Sequence, residues 1–248
     1  SWHHNTDGIW VGPNSSVRDC FIINNDDSIR PLTTVGYTDA TRTVVDGVMI
    51  YNMAWGGAFK ILANPKSWCP NPVQNMTFRN IDIIHSQAWG DGDGGFLFIE
   101  QGSGDKVDIK NLVWENVSVE SYTGKLFNIV AAPTSSIRNL QFRNLTTKTM
   151  SGDIFGSSAS APVDGITFVN LVIGNKTITS WEETGLKKNS YVYNISFSQE
   201  EKCTASVTVD TTQGVIPLHV SFDASGSSGS NLTCSWDFGD GSSATGMK

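Results

Sequence analysis

An eight-residue pattern recurs seven times along this chain of 248 residues, and it constrains the fold more than any other feature. Each copy reads as a β-branched residue, any residue, Asn, Gly or Asp, an apolar residue, any residue, a large apolar residue, any residue, and Asn or Gln. The closing residues are Asn24, Asn52, Asn80, Asn116, Asn144, Asn170 and Gln199. Successive closing residues are separated by 26 to 29 residues, except for one step of 36. Such a near-constant period predicts stacked, equivalent coils.

Each copy also has the alternation of a half-buried strand. In Met76-Thr77-Phe78 and in Ile166-Thr167-Phe168 the apolar side chains recur at every second residue, which indicates one buried face. A second short apolar run follows in several coils, and no helical period is present. These second runs lie at 57–59, 95–98, 124–127 and 152–155. We therefore predict an all-β fold, a parallel β-helix whose coils lie roughly 4.8 Å apart.

The repeat makes two predictions about side chains. The seven closing residues should form one line parallel to the helix axis, in which amides at tight bends bond to one another. The large apolar residues should form one buried column. Its members would be Ile22, Ile50, Phe78, Trp114, Phe142, Phe168 and Phe197.

The composition changes near residues 198–202, where a second all-β module is predicted to begin. We assign 1–200 to the C-terminal part of a β-helix domain whose N-terminal part is missing, and 203–248 to the start of another domain. In that second part Trp236-Asp-Phe-Gly-Asp-Gly241 resembles the PKD domain, an immunoglobulin-like β-sandwich, of which it would be a partial copy. A disulfide between Cys203 and Cys234 stays open.

Charge and hydropathy exclude some partners. Seventeen Lys and Arg against 24 Asp and Glu give a net charge of −7, which disfavours nucleic acid as a partner. No apolar run approaches the length of about 18 residues that a membrane span needs. We therefore expect neither nucleic-acid binding nor a membrane span.

Three aspartates are the candidate catalytic residues. Asp26 and Asp27 directly follow a closing position, and no other copy carries two acids there. Asp7 precedes Asp26 by 19 residues, close to one short coil, so it should lie about 5 Å away on an exposed patch. Repulsion of roughly 3 kcal/mol between carboxylates this close should keep one protonated near neutrality. An acid beside a base suits glycoside hydrolysis, while turn-capping or calcium binding are the alternatives.

The same residues carry a family resemblance. Asn5-Thr-Asp-Gly8, together with Asn24-Asn-Asp-Asp-Ser-Ile-Arg-Pro31, resembles the dextranase and isopullulanase family of the polygalacturonase-like clan, glycoside hydrolase family 49, over roughly residues 1–200. The resemblance implies a right-handed, pectin-lyase-like β-helix and an inverting mechanism. It implies Asp26 as general acid, with Asp7 and Asp27 positioning and deprotonating the water. It implies no cofactor and no metal.

The surrounding residues favour a neutral α-glucan as substrate. The Gly-His-Gly and Arg-x-Lys elements of polygalacturonases are absent. The candidate substrate contacts are Asn5, Trp55, Lys60, Trp89 and Asp91. Trp89 and Asp91 belong to an insertion at 85–95, expected on the rim next to the acids; its Asp-Gly-Asp-Gly stretch is also weakly similar to a calcium loop.

The mechanism predicts a local geometry. An inverting pair needs carboxyl groups roughly 6.5 to 9.5 Å apart, with room for a water. Adjacent strand residues point to opposite faces, so Asp26 and Asp27 can share a cleft only if the chain bends after Asn25.

Our leading interpretation is a secreted, monomeric, endo-acting, dextranase-like hydrolase. One alternative is a polygalacturonase-type pectin hydrolase, for which only Arg30, Arg42 and Lys60 offer a basic groove. Another is a non-catalytic glycan-binding protein or adhesin. That alternative predicts carboxyl groups with ordinary pKa values, or one aspartate buried in a turn.

Overall fold

A computed structural model describes residues 6–31, 43–63, 72–88, 94–101, 108–200, 203–229 and 232–247. All regular structure within these ranges is β, so they include no helix that could cross a membrane. The chain divides into two compact units, Ser1–Ser198 and Gln199–Lys248.

The described residues of the first unit form seventeen strands. They are β1 (Ile9–Val11), β2 (Ser16–Asn24), β3 (Ile29–Pro31), β4 (Val44–Asn52), β5 (Phe59–Ala63), β6 (Val73–Gln87), β7 (Gly94–Gln101), β8 (Ile109–Val119), β9 (Tyr122–Thr123), β10 (Lys125–Val130), β11 (Ile137–Thr147), β12 (Gly152–Phe155), β13 (Val163–Val169), β14 (Val172–Ile173), β15 (Lys176–Thr177), β16 (Leu186–Lys188) and β17 (Val192–Ser198).

These strands form two long sheets between which the chain alternates. One sheet has the order β1-β3-β5-β7-β10-β12-β16, and all its pairs are parallel. The other pairs β2, β4, β6, β8, β11, β13 and β17 in parallel, with β14 also on β11. Of the strand pairs that the described residues form in it, β14 with β15 is antiparallel. Each pass through both sheets is one coil, and this arrangement is compatible with the predicted parallel β-helix.

A column of stacked aromatic rings lies at the centre of the later coils. Phe78, Trp114, Phe142, Phe168 and Phe197 follow one another with ring centroids 5.1 to 5.2 Å apart and nearly parallel planes. The first four side chains are fully buried. Five of the seven predicted members therefore stack in one column, four of them fully buried and Phe197 partly buried.

The other two predicted members, Ile22 and Ile50, belong to a different column. They pair with each other and then with Ile83, whereas Val45 pairs with Phe78. The predicted register is thus wrong by five residues between β4 and β6.

The closing asparagines show the same shift. Asn80, Asn116, Asn144 and Asn170 form one line, each later Nδ2 donating to the Oδ1 before it at 2.8 to 3.0 Å. Asn24 and Asn52 pair with each other, outside that line. The predicted single line is therefore two lines.

A bend requirement explains the shift. The line of Asn80 continues to Gly47 and Asp19, and these residues share a left-handed backbone, with φ of 54°, 68° and 51°. Asn, Asp and Gly tolerate this conformation. From Asn75 to Asn170 the third and eighth positions of the pattern are both such bends, five residues apart, whereas Asn24 and Asn52 at the eighth position of the first two copies are not. The bends at the third position of those two copies therefore align with the bends at the eighth position of the later ones.

Four short strands lie in the part of the second unit that the structure describes. They are β18 (Thr208–Val209), β19 (Phe222–Asp223), β20 (Ser235–Asp237) and β21 (Ser243–Thr245). β18 pairs with β19 and β20 with β21, both antiparallel. Cys203 and Cys234 carry free thiols, so the disulfide left open by the sequence is not formed.

Candidate active site

Asp7 and Asp27 lie on neighbouring coils. β1 pairs with β3 so that Ile9 lies beside Ile29, and the Gly8 N–H donates to the Asp27 carbonyl at 2.8 Å. The predicted placement of Asp7 one coil before the acid pair is confirmed.

A bend at Asn25 and Asp26 separates β2 from β3. The Asp26 carbonyl accepts from Nδ2 of Asn24 at 2.6 Å and from Nδ2 of Asn52 in the next coil. Two side-chain amides therefore hold the bend, which confirms the prediction made from strand geometry. The first pair of closing asparagines shapes the candidate site, a role that the repeat alone did not indicate.

The three aspartates converge. One carboxylate oxygen from each of Asp7, Asp26 and Asp27 lies within 4.8 Å of the others. This is closer than the separation predicted for an inverting pair, because the bend turns Asp26 and Asp27 to the same side while coil stacking brings Asp7 alongside.

The acids do not form the exposed patch that was predicted. Asp7 and Asp26 are partly buried, and Asp27 is only 2% exposed. The next coil causes this burial at Gly56, where a Cβ would stand 2.6 Å from Asp27 N and 2.8 Å from Asp27 Oδ1. Only a residue without a side chain lets the coil close so tightly.

Burial perturbs two of the acids. It raises the pKa of Asp27 to about 7, although Lys60 opposes the shift. It also raises the pKa of Asp26, against the Asp27 N–H, which donates to Asp26 Oδ1 at 2.9 Å. In both residues, repulsion among the carboxylates raises the pKa less than burial does. The sequence had predicted a raised pKa from repulsion alone. The expected proton near neutrality is assigned to Asp27.

Two cations contact the acids. Arg30 Nη1 lies 2.9 Å from Asp7 Oδ2, and Lys60 Nζ lies 3.7 Å from Asp27 Oδ2. Asp27 Oδ1 is buried without a hydrogen-bond partner in the part of the chain that the structure describes. Three carboxylates at this spacing could hold a divalent cation. The positive charges of Arg30 and Lys60 at the cluster favour proton transfer instead.

Of the five predicted substrate contacts, the structure describes two, Trp55 and Lys60. Trp55 lies in the coil after the acid pair, 37% exposed, with a left-handed φ of 57°. It is therefore not a core residue, and its strained backbone is a feature found at functional sites. Lys60 contacts Asp27. Asn5, Trp89 and Asp91 lie outside the described residues, as does Arg42 of the alternative basic groove.

Sequence reasoning missed Trp10. Its indole Nε1 donates to Asp7 Oδ2, the oxygen that Arg30 also contacts. No sequence signal indicated this contact, because residues three apart on a strand point to opposite faces. Asp7 lies before β1 and a bend at Gly8 separates it from the strand, which lets the exposed Trp10 ring reach the acid.

The chain is similar to a dextranase of Arthrobacter sp. (strain CB-8). The two are 25% identical over 156 residues, which cover 58% of this chain and 22% of the dextranase. The chain thus spans about a fifth of the length of this relative. No protein-family profile and no solved structure matches the chain. This distant similarity suggests a glycoside hydrolase.

Proposed function

We propose that this chain carries the catalytic site of a secreted, inverting glycoside hydrolase that cleaves a dextran-like α-glucan within the polymer. The observation that carries the proposal is the convergence of Asp7, Asp26 and Asp27 within 4.8 Å, with raised pKa values at Asp26 and Asp27. Membership of glycoside hydrolase family 49 and a right-handed β-helix are parts of the same proposal.

The chemistry uses the three carboxyl groups in two roles. In the productive form Asp27 is ionised and the proton is on Asp26, whose pKa burial also raises. Asp26 donates this proton to the glycosidic oxygen as the bond to the anomeric carbon breaks. Asp7 and Asp27 hold the water that attacks this carbon and take up its proton. Two carboxylate oxygens less than 4.8 Å apart can share one water, because each hydrogen bond spans about 2.8 Å. The short separation leaves little space between acid and base, so the stereochemical outcome is a sharp test.

A neutral sugar suits the surroundings of the acids. The partly exposed Trp55 offers a flat apolar surface for the C–H face of a pyranose. The charges of Arg30 and Lys60 face Asp7 and Asp27, at 2.9 and 3.7 Å, so they are directed at the acids and not at the carboxylate of a uronate. This favours an α-glucan over a polyuronide.

The non-catalytic alternative predicted ordinary pKa values or one aspartate buried in a turn. Asp27 is indeed buried, but an aspartate that caps a turn accepts backbone N–H bonds, which lower its pKa. Among the described residues none hydrogen-bonds to Asp27 Oδ1, and the pKa of Asp27 is raised to about 7. We therefore favour catalysis.

We also propose that the second unit is an accessory PKD-like module. Its support is the Trp236-Asp-Phe-Gly-Asp-Gly241 stretch, which forms β20 and the following turn, with φ of 76° at Gly239 and 88° at Gly241. Phe222 packs against Trp236 with ring centroids 5.6 Å apart. We propose that the protein acts as a monomer.

Product release by the full-length protein tests the function. Dextran, pullulan and polygalacturonate are incubated separately, and reducing ends and oligosaccharide lengths are followed over time. We expect internal cleavage of dextran, with a range of oligosaccharides appearing early. Release from polygalacturonate alone would overturn the family assignment, and no release from any polymer would favour the non-catalytic alternative.

A further inference from the structure

Two side chains converge on one oxygen of Asp7. Trp10 Nε1 and Arg30 Nη1 both donate to Asp7 Oδ2, the latter at 2.9 Å. No hydrogen bond to Asp7 Oδ1 is formed by the residues that the structure describes. Within the described part of the chain the two oxygens of this carboxylate are therefore in different environments, because two donors hold Oδ2 and none holds Oδ1.

The two donors also hold each other. β1 and β3 pair in a register that places Trp10 beside Arg30, and the Arg30 guanidinium lies 5.3 Å from the centre of the indole ring. A guanidinium over a tryptophan face is an attractive cation–π contact. Trp10, Arg30 and Asp7 thus form one unit, and backbone pairing fixes its geometry.

Burial distinguishes Asp7 from Asp27 within the cluster. The side chain of Asp7 is 14% exposed, whereas that of Asp27 is 2% exposed. A water that attacks the substrate has readier access to Asp7.

We propose that Trp10 and Arg30 are positioning residues that hold Asp7 so that its Oδ1 removes the proton from the attacking water. This inference rests on the proposed function. In the step, the water oxygen forms a bond to the anomeric carbon and its proton passes to Asp7 Oδ1. The bond from that carbon to the glycosidic oxygen breaks, and the leaving oxygen takes the proton of Asp26.

The chain offers a matched pair of substitutions for the test. Trp10→Phe keeps an aromatic ring under Arg30 and removes only the N–H that reaches Asp7. Trp181→Phe makes the same change at another ring that lies under a cation, with Lys188 Nζ 5.6 Å from its centre. Trp181 lies in the turn before β16, several coils from the acids.

Both variants of the full-length protein are assayed on dextran for kcat, KM and melting temperature. We expect Trp10→Phe to lower kcat about tenfold with KM within about twofold, because a general base that loses its orientation loses part of its contribution. Trp181→Phe should leave kcat unchanged. Arg30→Ala should lower kcat further, and added guanidinium ion should restore part of it, whereas a purely structural loss would not respond.

The outcomes distinguish failure of the positioning role from failure of the proposed hydrolase function. Wild-type kcat in Trp10→Phe, or a change confined to KM, would overturn the positioning role while hydrolysis by the wild type stands. If Arg30→Ala does not fold, Arg30→Lys replaces it, and a normal kcat in that variant counts against the role of Arg30. A wild type inactive on every glucan overturns the proposed function and this inference with it.

Discussion

Lys60 Nζ lies 3.7 Å from Asp27 Oδ2, across two neighbouring coils. The positive charge lowers the pKa of Asp27, which burial has raised to about 7. In Lys60→Met that pKa should rise further. Since Asp27 must be ionised to help activate water, the acid side of the rate profile should move to higher pH, by about one unit.

Initial rates on dextran between about pH 4 and about pH 9 measure this shift. Lys187→Met, at an exposed position of β16, serves as the control for loss of a lysine charge. A profile in Lys60→Met that overlays the wild type would remove Asp27 from the water-activating role.

Replacing each acid tests the assignment of the site. Asp7→Asn, Asp26→Asn and Asp27→Asn should each lower kcat on dextran by about a hundredfold or more, because an amide can neither donate nor accept the transferred proton. Asp164→Asn, at a partly exposed acid paired with Arg138, should retain normal activity. Near-normal turnover in Asp26→Asn would contradict its role as general acid.

The anomeric configuration of the first product tests the mechanism. Proton NMR during early hydrolysis should show the β-anomer from an α-glucan, as inversion requires. Retention would mean that one of the three acids attacks the sugar directly, an outcome typical of carboxyl groups about 5 Å apart.

Asp27 should reduce stability at neutral and alkaline pH. Its pKa is raised from 3.8 to about 7, so the folded state binds a proton more tightly than the unfolded state does. Stability from this group is complete at low pH and falls as pH rises through about 7, by up to about 4 kcal/mol. Asp27→Asn should therefore unfold at higher denaturant concentration than the wild type at about pH 8, with little difference at about pH 4. An equal difference at both pH values would refute the burial argument.

The aromatic column should contribute strongly to folding. Phe142 is fully buried, with Trp114 and Phe168 stacked at 5.1 and 5.2 Å on either side. Phe142→Ala should lower the free energy of unfolding by about 3 to 5 kcal/mol, through lost burial and the cavity left behind. Urea unfolding followed by tryptophan fluorescence measures it. A loss below about 1 kcal/mol would mean that the ring is not tightly packed.

The period of the sequence was enough to predict strands, stacking and most of the buried column, because alternating apolar residues can bury one face only as strands. It could not determine the register between β4 and β6. From Val17 to Asn170 the third and eighth positions of the pattern both hold Asn, Asp or Gly, which tolerate a left-handed bend. In the first two copies only the third position adopts one, and Gly47 therefore aligns with Asn80. Only packing of Val45 against Phe78 decides between the two positions.

The sequence predicted which acids form the site but not how deeply they are buried. The spacing of Asp7, Asp26 and Asp27 indicated a shared patch, and strand geometry required the bend. The burial of Asp27 was not predictable, because it depends on Gly56 closing over it from the next coil. The Trp10 contact was missed because the repeat predicts strands and not the directions of side chains at a bend. The indole N–H of Trp10 reaches Asp7 across such a bend.

The side-chain amide dipoles of the asparagine line in the later coils all point the same way. Asn116, Asn144 and Asn170 each donate towards the preceding coil, and Asn80 at the start of the line donates to Asp46 Oδ1 at 2.8 Å. The aligned amide dipoles thus present their positive end to a carboxylate, as a helix N-terminus does. A coil inserted into this line without an asparagine at the bend would leave a donor on one side and an acceptor on the other, each dependent on water.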